Sequence, residues 1–410
     1  MSILQSSLSF VLLLAMLELG NSRRLHNHLP SHWHNICRVK TGVACLDQST
    51  DKSIVDIMRK KQPTCISCDV GPDDIWNLHD LRRFLHKSSK NYALTVRCRE
   101  GGNVSLPFPI RAAGLEYFSI KNCLIVDYMS EYFDPAINDI PDDLIYSSIS
   151  DSTIYVDIMK MMEVSNGMNN MTKAAKCGAE KNIAVTIARN ISYTFSDLPE
   201  TILNDIFTTF TVRTSTKYLR GLLSSSHTCA YPKLIEMDLS VSNTRGAKFD
   251  SILVNNADYP ALKTLKVTHS SLSSIPERFN DWRWDFPRLS TLDLSHNHIK
   301  DFGTVLDYGN RSIESSIGTL DLQHNLISTI TLAELESLRD HRFVKIDIRN
   351  NPFNCDCKMR DFVDFFRRSN DFMEGGKGSQ YSYLRHLKCQ EPVSLKCRTI
   401  VDLNHTDLGC

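Results

Sequence analysis

One pattern recurs through the second half of the chain and restricts it to a narrow class of folds. The segments "LIEMDLSVS" (Leu234 to Ser242), "LKTLKVTHS" (Leu262 to Ser270), "LSTLDLSHN" (Leu289 to Asn297), "IGTLDLQHN" (Ile317 to Asn325) and "FVKIDIRNN" (Phe343 to Asn351) fit L-x-x-L-x-L-x-x-N, with starts 28, 27, 28 and 26 residues apart. Side chains alternate along a strand, so the fourth and sixth positions of each segment point to one side. A single unit cannot bury that side alone; stacked units bury it against one another. The ninth position, held by Asn297, Asn325 and Asn351, brings a buried amide into each turn, where it can satisfy backbone groups of successive coils. Apolar residues beyond it, Ile299 and Phe302 or Ile327 and Ile330, fill the rest of each coil.

The period and consensus are those of leucine-rich repeats. The expected fold class is an α/β solenoid, a horseshoe with short parallel strands on its concave side and disulfide-bonded caps at its ends. "FTTFTVRTS" (Phe207 to Ser215) lies 27 residues before Leu234 and fits the same pattern. "NIAVTIARN" (Asn182 to Asn190), "TIYVDIMKM" (Thr153 to Met161) and "LEYFSIKNC" (Leu115 to Cys123) keep the inner apolar pair at irregular gaps, the last with Cys123 at the asparagine position. "YALTVRC" (Tyr92 to Cys98) reads as the first strand, which gives repeats over 92–351.

A solenoid leaves the apolar face of its last coil open to water and needs a cap. "NNPFNCDC" follows directly on the last strand, and "KMRDFVDFFRRS" places Phe362, Phe365 and Phe366 where a covering helix would need them. This stretch resembles the C-terminal flanking cap of extracellular animal leucine-rich repeat proteins, such as Slit-like proteins and Toll-like receptor ectodomains. The resemblance rests on N-P-F-x-C-x-C with cysteines downstream, in "LKCQEPVSLKC" and "TDLGC". It implies bonds Cys355–Cys389 and Cys357–Cys410 in a cap over 352–410. Cysteines one residue apart cannot easily bond each other, so each needs a separate partner. Cys397 is then the odd one: an interchain bond, a buried thiol or a rearranged pairing would each account for it. Ahead of the repeats, Cys37, Cys45, Cys65 and Cys68 are spread more widely than the family's N-terminal cluster. Residues 23–91 are read as a cysteine-containing cap, with "CISC" more readily structural than redox-active.

Residues 1–22 read as a signal peptide, with an apolar core at Leu8 to Leu19 and small residues Gly20 and Ser22 before the cleavage point. No later span is apolar enough for a membrane. Thirteen cysteines suit an oxidising compartment, and five N-x-S/T sequons fall at Asn103, Asn170, Asn190, Asn310 and Asn404. The expectation is a secreted, extracellular glycoprotein. With 47 basic and 47 acidic residues the chain carries no excess charge for a nucleic acid or an anionic membrane. No G-x-S-x-G, H-E-x-x-H or complete phosphate loop occurs, so neither catalysis nor a cofactor is expected.

Function is expected on the exposed side of the strands. There the fifth positions hold Asp238, Lys266, Asp293, Asp321 and Asp347, and the eighth hold His269, His296 and His324. The histidines are either solvated turn residues or a metal-binding or pH-sensitive part of a partner surface. Arg213, Lys345 and Arg349, with Trp282 and Trp284 on an insertion, are further candidates. A second histidine group, His26, His28, His32 and His34, has H-x-H spacing but is expected on a loose terminus. The resulting expectation is a protein-binding module that acts on an extracellular protein or receptor ectodomain in development or cell–cell signalling, with disulfide-linked dimerisation through Cys397 as an option. Innate recognition of microbial ligands and a matrix role are the alternatives.

Overall fold

The computed structural model of the 410-residue chain describes residues 29–85, 90–108, 110–128, 130–131, 135–157, 182–195, 229–240, 257–275, 286–302, 318–340, 344–368, 373 and 379–410. It comprises two compact units, Met1–Lys233 and Leu234–Cys410. The signal peptide, His26, His28, "FTTFTVRTS", Arg213, Asn170, Asn310, Trp282 and Trp284 lie outside the described residues.

The first unit begins with β1 (Cys37–Thr41) antiparallel to β2 (Thr64–Val70). From β2 onward the pairing is parallel, through β3 (Tyr92–Cys98), β5 (Leu115–Lys121), β7 (Tyr146–Val156) and β8 (Val185–Phe195). Tyr92–Cys98 is therefore the second parallel strand and not the first. Ile66, Leu94 and Phe118 stand in register and are wholly buried, as are Val96 and Ile120 two residues on. These side chains form the solenoid interior. Disulfides Cys37–Cys68 and Cys45–Cys65 tie β1 and the loop after it to β2, so the two cysteines of "CISC" reach different partners.

A second parallel ladder joins β4 (Asn103–Ser105), β6 (Leu124–Val126) and the far halves of β7 and β8. The chain turns between the two ladders at Asn122, Asp151 and Asn190, with φ of +59°, +49° and +53°. Asn and Asp tolerate this left-handed region better than other side chains. Two sequence readings change as a result. The stretch level with β5 is Tyr146 to Ser150, and Thr153 of "TIYVDIMKM" already lies past the corner. Asn190 is an exposed corner residue whose amide donates to Asp151 Oδ1 at 2.8 Å; it is not a buried ladder amide, so its sequon no longer conflicts with burial. Cys123, placed by the sequence at an asparagine position, is bonded to Cys98 instead. The terminus is not loose from Leu29 onward: Trp33 is buried and stacks on Trp76 at 5.5 Å, and His32 meets Asp80 at 3.1 Å.

In the second unit five strands form one parallel ladder: β9 (Glu236–Asp238), β10 (Thr264–Lys266), β11 (Thr291–Asp293), β12 (Gly318–Asp321) and β13 (Val344–Asp347). Met237, Leu265, Leu292, Leu320 and Ile346 pair across it. This is the fourth position of the repeat, all of it buried. Each ladder asparagine ties two coils together. The Asn325 amide donates to Leu294 O of the preceding coil and to Leu322 O of its own, both at 3.0 Å, while Oδ1 accepts from Ile299 N–H at 3.0 Å. Asn297 and Asn351 repeat the arrangement.

The end of the solenoid is closed by α4 (Arg360–Arg368), which buries Phe362, Val363 and Phe366, with Phe365 only partly covered. The first unit carries α1 (Lys52–Lys61) and α2 (Leu78–Leu85), and in the second α3 (Leu332–Asp340) precedes β13; Thr331 and Glu334 cap α3 reciprocally. Cys355 is bonded to Cys389 and Cys357 to Cys410. The cap also deals with the open edge of β13, where unpaired backbone groups would be a liability. Tyr383 Oη donates to Ile346 O at 2.5 Å and accepts from Ile348 N–H at 3.2 Å, and Tyr381 Oη accepts from Ile346 N–H at 3.4 Å. Burial holds the Tyr383 hydroxyl protonated well above the ordinary tyrosine range, so it remains a donor. Tyr383→Phe removes both bonds and leaves a buried carbonyl and amide unmet. The expected loss is about 2 kcal/mol in denaturant unfolding of the second unit.

Candidate partner-binding face

The outward positions of β9 to β13 present Thr264, Thr291, Thr319 and Lys345 in one column, with Lys266, Asp293, Asp321 and Asp347 in the next. Asp347 is buried; the others are partly exposed. The aspartates have a structural task that the sequence did not reveal. Asp293 Oδ1 accepts from Ser295 N–H at 3.0 Å, Asp321 Oδ1 from Gln323 N–H at 2.9 Å, and Asp347 Oδ1 from Arg349 N–H at 3.2 Å. Asp238 does the same for Ser240 at 3.0 Å and is itself buried. Each carboxylate thus closes the turn that ends its strand. Lys266 breaks the series and pairs with Glu236 at 3.1 Å, while Arg349 neutralises Asp347 at 2.5 Å and lies over the Tyr383 ring. Asp293 and Asp321 form the anionic centre of the face.

Beside them His269, His296 and His324 stack as a ladder, with ring centroids 4.2 Å apart at each step and planes within 10°. All three are exposed and adopt φ of +53°, +57° and +55°. The backbone turn therefore sets the stacking: consecutive coils repeat the same left-handed residue, and the rings fall at the strand spacing. His324 Nε2 lies 3.2 Å from the Asn350 amide and His269 Nδ1 lies 3.3 Å from Thr268 Oγ1. Among the described residues no group of three potential ligands is placed to hold a metal ion.

Desolvation first, then the neighbouring rings of His269 and His324, push the His296 pKa down, against an upward pull from Asp293 and Asp321. Desolvation, then Asp293 and Asp347, push Asp321 up. Folding disfavours the charged form of His296, so the stability it contributes is present above the unfolded histidine value of about 6.5 and is lost as pH falls from there through its lower folded value. The expected result in an NMR titration is a His296 midpoint below that value, rising towards it when His269 and His324 are both changed to Gln.

Among the described residues, the corresponding strand face of the first unit is largely covered. Outward-pointing Ala93, Tyr117, Tyr146 and Val185 are covered by the chain's own loop and helix α1, through Cys45, Ile54 and Met58. Tyr117 and Tyr146 stack at 4.5 Å, and the Tyr117 hydroxyl meets Thr50 Oγ1 at 3.0 Å and Asp47 N–H at 3.1 Å. Thr95 Oγ1 donates to Cys45 O at 2.6 Å, Arg97 pairs with Asp47 at 3.0 Å, and Lys61 pairs with Glu116 at 2.5 Å.

Of the other residues singled out from sequence, Cys397 is exposed and, among the described residues, unbonded. Asn103 and Asn404 are exposed. No described helix is long and apolar enough to cross a membrane.

A stacked parallel ladder with an internal asparagine series and a two-disulfide end cap defines the fold. The chain is a capped leucine-rich repeat protein. No family model matches this repeat protein, but sequence relatives do. It is 31% identical over 124 residues to trophoblast glycoprotein of Macaca fascicularis, covering 30% of this chain and 26% of that protein. It is 29% identical over 155 residues to Toll-like receptor 6 of Bos taurus, covering 37% and 17%. The capped repeat protein thus spans about a quarter or less of the length of these relatives. The names of these relatives are those of a glycoprotein and a receptor, not of enzymes. The crystal structure of human 5T4 (trophoblast glycoprotein) aligns with a TM-score of 0.43 at 16% identity, over 84% of this chain and 94% of that one.

Proposed function

We propose that this chain is a secreted glycoprotein that binds an extracellular protein partner, as a ligand or modulator of a cell-surface receptor, through the strand face of 234–351. The observation that supports this reading is the contrast between the units: the first covers its outward strand face with its own α1, while the second keeps Thr264, Lys266, Asp293, Asp321 and the three histidines at least partly exposed. Binding in such an arrangement depends on a few side chains near the centre of the contact. Asp293 and Asp321 favour a basic segment of the partner, steered by charge. Recognition of a microbial ligand is the second reading, prompted by the likeness to a Toll-like receptor.

Purified secreted protein, offered to receptor-bearing cells and to microbial extracts, separates the two. Saturable binding to cells, competed by excess unlabelled protein, is the expected result. Saturable binding to the extracts alone would replace the receptor reading with the microbial one.

A further inference from the structure

A groove of about 610 Å³ in the first unit is lined by Ile75, Trp76, His79, Arg83, Asn103 and Val126, among others. Its floor and flanks are set by backbone pairing. Asn77 bridges Ser105 in parallel, which brings Ile75 level with Asn103 on one side. On the other side Asn103 pairs with Leu124 of β6. Asn103 is exposed and begins the sequon Asn103-Val104-Ser105, which spans β4. Its two row neighbours are aliphatic and bare: Ile75 is 69% exposed and Leu124 39%. A single exposed aliphatic side chain needs no explanation. Two of them bracketing a sequon asparagine do, Ile75 inside the groove and Leu124 beside it, because each leaves apolar surface in water that a covering group would remove.

We propose that the groove seats the first sugars of an N-linked glycan carried by Asn103 itself. The apolar face of the proximal N-acetylglucosamine covers Ile75 and Leu124, and its hydroxyl and acetamido groups find polar partners in His79, Asp80 and Arg83, which line the same groove. The glycan becomes part of the fold's surface packing. This inference rests on passage through a secretory pathway, as proposed above.

The test is hydroxyl-radical footprinting with mass spectrometry on the chain secreted from mammalian cells. Three forms are compared: fully glycosylated, trimmed by endoglycosidase to one N-acetylglucosamine per site, and Asn103→Gln. Oxidation of Ile75 and Leu124 is expected to be several-fold lower in the first two forms than in Asn103→Gln. Ile57 and Leu332, exposed to 37% and 41%, serve as references that do not change. If Asn103→Gln is not secreted, complete glycan removal after secretion supplies the same comparison. Equal oxidation in all forms of an occupied site overturns the proposal, since the sugar then projects into solvent. Glycans at the other sequons with none at Asn103 also overturn it, and leave the secretory reading standing. Failure of the unaltered chain to reach the medium, with the retained protein unglycosylated, overturns both.

Discussion

Replacing Asn325 by alanine is expected to lower the unfolding free energy of the second unit by on the order of 3 kcal/mol, among the largest effects of any single polar substitution in it. The side chain is 3% exposed. Its loss leaves Leu294 O, Leu322 O and the Ile299 N–H without the bonds at 3.0 Å that they now make. Orphaning a buried backbone group carries its full desolvation penalty, whereas the bond itself contributes less. Two further consequences distinguish this from an ordinary cavity mutation. Asn325→Asp should be at least as damaging, because the carboxylate cannot donate to either carbonyl. Asn325→Ala should also loosen the neighbouring coil through Leu294, so hydrogen exchange accelerates around 294 as well as 322. Chemical denaturation and exchange on the same variants check both points.

Removing the bond between Cys357 and Cys410, by changing both to serine, is expected to cost about 4 kcal/mol in the chain-entropy view of a cross-link of this span; the two residues are 53 apart in sequence. Both cysteines are replaced because a lone Cys410 could exchange with the exposed thiol of Cys397. The bond holds the chain end against the cap whose Tyr381 and Tyr383 close the edge of β13. Its loss therefore exposes an unpaired strand edge as well as loosening the chain. A lowered melting temperature together with concentration-dependent association, measured by calorimetry and light scattering, is the expected signature. A lowered melting temperature without association would mean that the tyrosines hold the edge unaided.

The second unit was legible in the sequence because its repeats obey one spacing and its two strand faces differ chemically. Apolar residues at the fourth and sixth positions fix the register, and the column Met237, Leu265, Leu292, Leu320, Ile346 follows directly. The first unit was less legible because α1 covers the strand face that would otherwise be polar. Ala93, Tyr117 and Tyr146 are buried on that side while Leu94, Phe118 and Ile120 are buried on the other, so the alternation that marks a half-exposed strand disappears. Asn122, Asp151 and Asn190 then supply corner chemistry that imitates the asparagine of a repeat.

On the candidate face the sequence pattern gave the aspartates an incomplete meaning. The aspartate column recurs because each carboxylate accepts a backbone N–H two residues on, a local demand that pattern reading cannot separate from partner binding. Tyr381 and Tyr383 were missed altogether, since their task is defined only by the strand edge they meet in three dimensions. The signal, in hindsight, was a pair of aromatic residues with polar tips in a cap that must close such an edge.

The central claim is that the outward strand face of the second unit binds the partner. A glycan placed on that face tests it most directly. Thr264→Asn with Lys266→Thr creates a sequon there, removing only a partly exposed ion pair of small value. His298→Asn with Lys300→Thr creates one on exposed residues just past the strand turn. With both variants shown by mass to carry the added glycan, equilibrium binding to receptor-bearing cells is measured beside the unaltered protein. Loss of saturable binding in the first variant, with binding retained in the second, is the expected result. Full binding by the first would contradict the account.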